Sequence, residues 1–142
     1  MPAKEAMLGH VVLNVRNLKR SEDFYRRVLG MAVSGRDRNT KMSFLSFGRE
    51  HHDVALAQLP AGARPVTGER VPGLHHFCVY VQTPQEVDRL VPFLRRKRIR
   101  IVSGPEILKV ARNRSISFLD PDGNRVEVAC NAHKFPKRAR RR

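Results

Sequence analysis

Apolar and polar residues along this chain keep two rhythms, and each rhythm occurs twice. His10-Val11-Val12-Leu13-Asn14-Val15 and His76-Phe77-Cys78-Val79-Tyr80-Val81 are short runs rich in β-branched and aromatic residues, as strands are. They stand 66 positions apart, and each opens on a histidine. Behind each comes a helical rhythm. Asn17 is a good N-cap, Phe24, Tyr25, Val28 and Leu29 supply an apolar stripe, and Gly30 is placed to stop the helix. Sixty-six residues on, Thr83-Pro84-Gln85-Glu86 is a strong helix start, with a capping threonine, proline at the first helical position and glutamate where a capping box needs it. Val87, Leu90, Val91 and Leu94 then fall at i, i+3, i+4 and i+7, which is one buried face. Pro92 sits inside that pattern and is expected to kink or shorten the helix.

Strands complete both copies. In the first, strands are expected from Val33, over Met42 to Phe47 and over Asp53 to Leu59. In the second they are expected over Ile99 to Val102, Ser115 to Leu119 and Arg125 to Ala129. The last two are joined by Asp120-Pro121-Asp122-Gly123-Asn124, a run with strong turn chemistry. The order is β-α-β-β-β, twice, and repetition at this scale marks a duplicated supersecondary unit. The expected division is a leader over 1–8, a first module over 9–59, a linker over 60–72 rich in proline and glycine, a second module over 73–133 and a tail over 134–142.

Composition narrows the class. A chain of 142 residues with 41% hydrophobic positions can bury one real core. No apolar run approaches the about 18 residues needed to span a bilayer, and the first residues carry no secretory pattern, so a cytoplasmic protein without membrane contact is expected. Cys78 and Cys130, each in an apolar run, are expected to be buried reduced thiols. The formal charge is +15, concentrated in Arg95-Arg96-Lys97-Arg98 with Arg100 and in the tail. From Lys134 onward there are six basic residues and no acidic one. The ordinary reading is a solvated tail outside the fold. The functional one is non-specific contact with nucleic acid, which salt would weaken steeply.

The two modules, the Phe24-Tyr25…Leu29-Gly30 sequence of the first and the Ser115-x-x-Phe118-x-Asp120-Pro-Asp-Gly-Asn-Arg-Val-Glu127 sequence closing the second resemble the vicinal oxygen chelate superfamily. That group includes glyoxalases, bleomycin-binding proteins, fosfomycin-resistance enzymes and extradiol dioxygenases. The resemblance runs from about Leu8 to Ala129. It implies an α+β fold in which the tandem modules form an open curved sheet, a half-barrel around a central metal or ligand cavity. It further implies metal ligands at His10, His76 and Glu127.

Two imidazoles and a carboxylate form a facial triad that leaves coordination positions open, which suits Fe(II) or Mn(II) before Zn(II) or Ni(II). Glu127 lies between Val126 and Val128 and so faces the opposite side of its strand. His75, beside His76, is expected to face away. Val54-Ala55-Leu56 matches Val126-Glu127-Val128, so Ala55 stands where a fourth ligand would be, and Gln58 faces the other side. The stretch from Gly48 to Leu56 resembles the one in extradiol dioxygenases whose second histidine is an acid–base, here His52; the alternative is that His51 and His52 are simply turn residues. Ser117 stands where those dioxygenases often have tyrosine. Cys78 shares the face of His76, with core filling as its ordinary role.

The function so implied is a metal-dependent enzyme acting on a small oxygen-bearing molecule, extradiol cleavage of a catechol-like ring first. A glyoxalase-like lyase, a thiol transferase of the fosfomycin-resistance kind and a non-catalytic drug-binding protein are the alternatives. A homodimer is expected, because the family buries the edges and faces of its modules by pairing subunits.

Overall fold

The computed structural model describes residues 7–66 and 72–131. The leader up to Ala6, the linker stretch 67–71 and the basic tail lie outside the described residues. The chain divides between Pro65 and Val66 into two compact units.

The first unit holds β1 (Val11–Val15), α1 (Leu18–Leu29), β2 (Ala32–Asp37), β3 (Met42–Ser46) and β4 (Val54–Gln58). The second holds β5 (Phe77–Val81), α2 (Pro84–Arg96), β6 (Ile101–Ile107), β7 (Arg114–Leu119) and β8 (Arg125–Cys130). Each unit is an open four-stranded sheet with one helix, in the orders β1-β4-β3-β2 and β5-β8-β7-β6. The first and last strands of each unit pair in parallel, and the other neighbours are antiparallel. The α+β organisation in two β-α-β-β-β modules is therefore as the sequence implies.

Alternation sorts the two faces of each sheet. In the first unit Leu13, Val15, Leu45, Val54 and Leu56 are buried, together with Tyr25 and Val28 of α1. In the second, Ile116, Phe118, Val126 and Val128 are buried, together with Val87 and Leu94 of α2. Each such side chain contributes about 1.5–3 kcal/mol when taken fully from water. The remaining alternate positions, among them Val12, Ala55, Cys78 and Glu127, lie on the opposite face.

The helix ends follow their chemistry. Asn17 Oδ1 accepts from the Arg20 N–H at 2.9 Å, Gln58 Oε1 accepts from the Leu18 N–H at 3.0 Å, and Gly30 ends α1 with φ +69°. In α2, Glu86 reaches back to accept from the Thr83 N–H at 2.8 Å. Pro92 does not shorten this helix, which runs on to Arg96. Its missing N–H forfeits one bond on the exposed side, while Val87 and Leu94, a heptad apart, are both fully buried and hold the turns on either side. After α2 the chain turns through Arg98 at φ +55°, with Ile99 N–H donating to Leu94 at 2.9 Å. A side chain costs about 1 kcal/mol or more in that left-handed region, which the first module fills with glycine. This turn also delays β6, which starts at Ile101 and runs beyond the expected Val102. Within β6, Gly104 has φ +82°, and a Cβ there would stand 2.4 Å from the Ser115 carbonyl oxygen.

Cys78 and Cys130 are free, but they are not buried as expected: Cys78 is exposed and Cys130 half-buried. β5 is an edge strand, so apolar neighbours along the chain do not guarantee cover across the sheet. Among the described residues no helix is long and apolar enough to cross a membrane.

One buried charge ties helix to sheet in the first unit. Glu22, only 3% exposed, accepts from Arg36 Nε at 2.9 Å, from Arg36 Nη2 at 2.7 Å and from Ser43 Oγ at 2.7 Å. The Arg36 hydrogen bonds hold its carboxyl below the ordinary 4.5, with Ser43 assisting, against the opposing effect of burial. A carboxyl that titrates lower when folded contributes fully above its unfolded pKa, and that contribution drains away as pH falls through the folded value. Glu22→Gln is expected to cost about 1–3 kcal/mol at pH 7. Urea unfolding should show the gap between variant and parent closing as pH drops below 4.5; a gap that is constant with pH would refute this assignment.

Candidate functional site

β8 carries the acid and β5 positions the imidazole. Parallel pairing sets Cys78 opposite Glu127 and Phe77 opposite Val126, so His76, one residue before β5, lies at the edge of the same face. His76 Nε2 and Glu127 Oε2 are 3.0 Å apart. The other carboxylate oxygen, Oε1, accepts from Ser115 Oγ at 2.7 Å. Ser115 is buried on β7, beside the backbone that approaches Gly104. The acid is thus held from one side by a fixed hydroxyl and turned toward an imidazole on the other. His75 Nδ1 and His76 Nδ1 lie 2.7 Å apart, which leaves His76 Nε2 as the nitrogen facing Glu127.

Cys78 stands beside Glu127 in the register. Although the residue is exposed, the protein around its sulfur and then the neighbouring carboxylate push the thiol up to about 12. It is a neutral neighbour of the acid at ordinary pH.

In the first unit His10 precedes β1 on the face shared with Val12 and Ala55. Its ring lies 4.4 Å from the His52 ring, centroid to centroid, and Phe44 packs 5.1 Å from His52 and 5.9 Å from His51. The turn before β4 builds this group. Asp53 Oδ2 accepts from the Phe47 N–H at 2.7 Å, and Ser46 Oγ donates to the Glu50 carbonyl at 2.6 Å. His51 Nδ1 and His52 Nδ1 are 2.9 Å apart. Partial burial and the adjoining His10 and His51 lower the His52 pKa, so its ring is neutral at pH 7.

Of the sequence-derived residues, His76 meets Glu127 and His10 meets His52. Among the described residues, no group of three or more His, Cys, Asp or Glu side chains forms a ready metal cluster. Ala55 is buried at the station of β4 that Glu127 occupies on β8, and Gln58 is engaged with the start of α1. Sequence reasoning passed over the role of Ser115. Ser115 could have been found from the Ser115-Ile116-Ser117 alternation, since two hydroxyls flanking an isoleucine on a strand share the face of Glu127.

A protein-family model described as Glyoxalase/Bleomycin resistance protein/Dioxygenase superfamily matches residues 7–128. The chain is 31% identical over 131 residues to biphenyl-2,3-diol 1,2-dioxygenase 3 of Rhodococcus globerulus; the match covers 92% of this chain but 66% of that enzyme's length. It is 30% identical over 124 residues to a virulence protein of Salmonella typhimurium, covering 86% of this chain and 82% of that one. Among solved structures, a glyoxalase/dioxygenase from Nostoc punctiforme superposes with a TM-score of 0.71 at 21% identity, over 92% of this chain and 94% of that one, which speaks for the fold. The two β-α-β-β-β units, the closing Asp120-to-Glu127 strand entry and the extent of the family match lead to one statement: this chain belongs to the Glyoxalase/Bleomycin resistance protein/Dioxygenase superfamily.

Proposed function

We propose that this chain is a metal-dependent enzyme of its superfamily, acting on a small oxygen-bearing molecule, with ring cleavage of a catechol-like substrate as the leading reaction. The observation that carries the reading is the His76–Glu127 pair, with Nε2 and Oε2 at 3.0 Å and the acid fixed by Ser115. An imidazole nitrogen and a carboxylate oxygen converging on one point are the donor types that first-row divalent ions take, and a hydroxyl on the far carboxylate oxygen is the support such ligands need. We assign His76 and Glu127 as ligands, with His10 as the third by resemblance, and Fe(II) or Mn(II) as the ion. When bound, the ion supplies Lewis acidity to two adjacent substrate oxygens. His52, a neutral imidazole packed on His10, receives or returns the proton that a hydroxyl substrate gives up. Phe44 supplies an aromatic wall beside it.

The similarity to a biphenyl-diol dioxygenase supports this order of preference, and the chain spans two thirds of that enzyme. Ser117, directly opposite Glu127 in the register, favours a second reading, a lyase or thiol transferase, because a serine hydroxyl lacks the acidity of the tyrosine that ring-cleaving relatives often carry there. A pocket that takes up no metal would instead indicate a drug-binding protein. We further propose a homodimer acting in the cytoplasm; the two free thiols accord with a reducing compartment.

Protein purified without oxygen should bind about one Fe(II) or Mn(II) per chain by elemental analysis, an expectation set by the three-ligand donor set. Glu127→Ala should abolish that binding, and Ser115→Ala should weaken it about 10- to 100-fold. Absence of stoichiometric metal in the parent protein would end the enzyme reading. With Fe(II) and air, a panel of catechols should give a yellow ring-cleaved product, and His52→Ala should lower kcat about 100- to 10,000-fold. Turnover of a thiol with an epoxide or hemithioacetal, and of no catechol, would place the chain on the transferase or lyase branch. Sedimentation at micromolar concentration should give a dimer mass; a monomer would contradict the assembly.

A further inference from the structure

Arg125 is an arginine without an acid. It occupies β8 two residues before Glu127 and therefore shares its face, with their Cα atoms roughly 7 Å apart along the strand. Its Nη2 donates to two neutral hydroxyls, Ser103 Oγ at 3.1 Å and Ser117 Oγ at 3.2 Å. Its Nε is buried with no hydrogen-bond partner. Three arginines elsewhere in the described part do meet acids: Arg36 forks onto Glu22, Arg114 meets Asp88 at 2.6 Å, and Arg26 lies 3.9 Å from Asp23. Arg125 forms no ion pair among the described residues.

An arginine stays charged at any physiological pH, and a guanidinium half-withdrawn from water is costly unless an anion meets it. A buried donor left unpaired in a folded protein calls for an explanation, and one explanation is a ligand. The surroundings fit this. Ser117 is the direct cross-strand neighbour of Glu127, and Ser103 is the neighbour of Ser117. Small side chains at both stations leave the guanidinium room on the face that carries His76 and Glu127. The matching stations of the first module hold Gly35, Phe44 and Asp53, so the cation with its two hydroxyls is peculiar to the second.

We propose that Arg125 is the anion-recognition residue of this face, and that the natural ligand carries an oxyanion group, a carboxylate or phosphate, in addition to the oxygens that meet His76 and Glu127. This deepens the functional reading above and rests on it only for the placement of those oxygens. The planar fork of arginine can take two oxygens of one anion side by side, with Ser103 and Ser117 free to rotate and donate to the same group.

The test uses the full chain loaded with Mn(II) and a matched ligand pair, catechol and 3,4-dihydroxybenzoate, which differ by one carboxylate. Calorimetry should give the acid at least a tenfold tighter Kd, about 1.4 kcal/mol. Arg125→Gln should bring the ratio close to one, and Arg125→Lys, which keeps the charge but loses the fork, should give a ratio between the two. Equal affinities for the two ligands in the parent protein, or a ratio unchanged by Arg125→Gln, would overturn the proposal. A second measurement dispenses with the metal. In nitrogen-15 spectra of the metal-free protein, the Arg125 Nε–H resonance should shift saturably with benzoate or inorganic phosphate, at a midpoint that weakens with added chloride. A resonance indifferent to both anions would overturn the proposal even if metal and catechol bind as expected. A shift in protein that takes up no metal would uphold it while the enzyme reading fails.

Discussion

Everything at the candidate site depends on the parallel pairing of the first and last strands in each unit. Between β5 and β8 that pairing sets Cys78 against Glu127 and delivers His76 to the edge of the acid's face. A slip of one residue would turn Glu127 toward α2 and bring Val126 or Val128 to the site. The register is secured from the other side of the sheet, where Val126, Val128, Ile116 and Phe118 are all buried. The apolar face therefore fixes the polar one. Ser115, on the next strand, then needs only its hydroxyl to orient the carboxylate.

The two units share this frame and differ in what they mount on it. Opposite Ala55 the first unit places Phe44; opposite Glu127 the second places Ser117. Both second strands bulge just before that station, at Val33/Gly35 and at Ile101/Ser103, and the residues after the bulge are Gly35 and Ser103. A Cβ at Gly35 would lie 3.6 Å from Phe44 Cδ2, an ordinary van der Waals contact, so the ring packs directly over this station. One copy thus presents rings and imidazoles, the other an acid, hydroxyls and a guanidinium. Duplication supplied the scaffold twice, and divergence gave its two copies different chemistries.

Much of this was legible in the chain. The 66-residue spacing of His10 and His76 carries over into equivalent positions before β1 and β5, and the correspondence of Ala55 with Glu127 is repeated in the strand registers. Helix caps at Asn17 and Thr83 were readable because capping uses local side-chain chemistry. The late start of β6 was not, since an arginine in the left-handed region at position 98 gives no sequence signal of a turn. Pro92 misled for the opposite reason: its local penalty is real, but burial of Val87 and Leu94 outweighs it. The exposure of Cys78 escaped notice because hydropathy along a strand says nothing about whether a further strand covers it. The contacts of Ser115 and Arg125 were hidden because they join strands through pairings that only the folded sheet defines.

The tie between Gln58 and the Leu18 N–H bears on the order in which the molecule assembles. β1 has β4 as its one neighbour in its sheet, and α1 draws part of its cap from the end of that same strand. The first strand therefore gains no ladder, and the first helix no complete N-terminus, until about forty further residues have been made and folded back, a separation set by loop closure rather than by local propensity. On the ribosome the first module would stay open until β4 emerges and then close in one cooperative step. A frayed β4 would release the first strand and strip the helix of its Gln58 cap, leaving α1 held to β2 and β3 through Glu22.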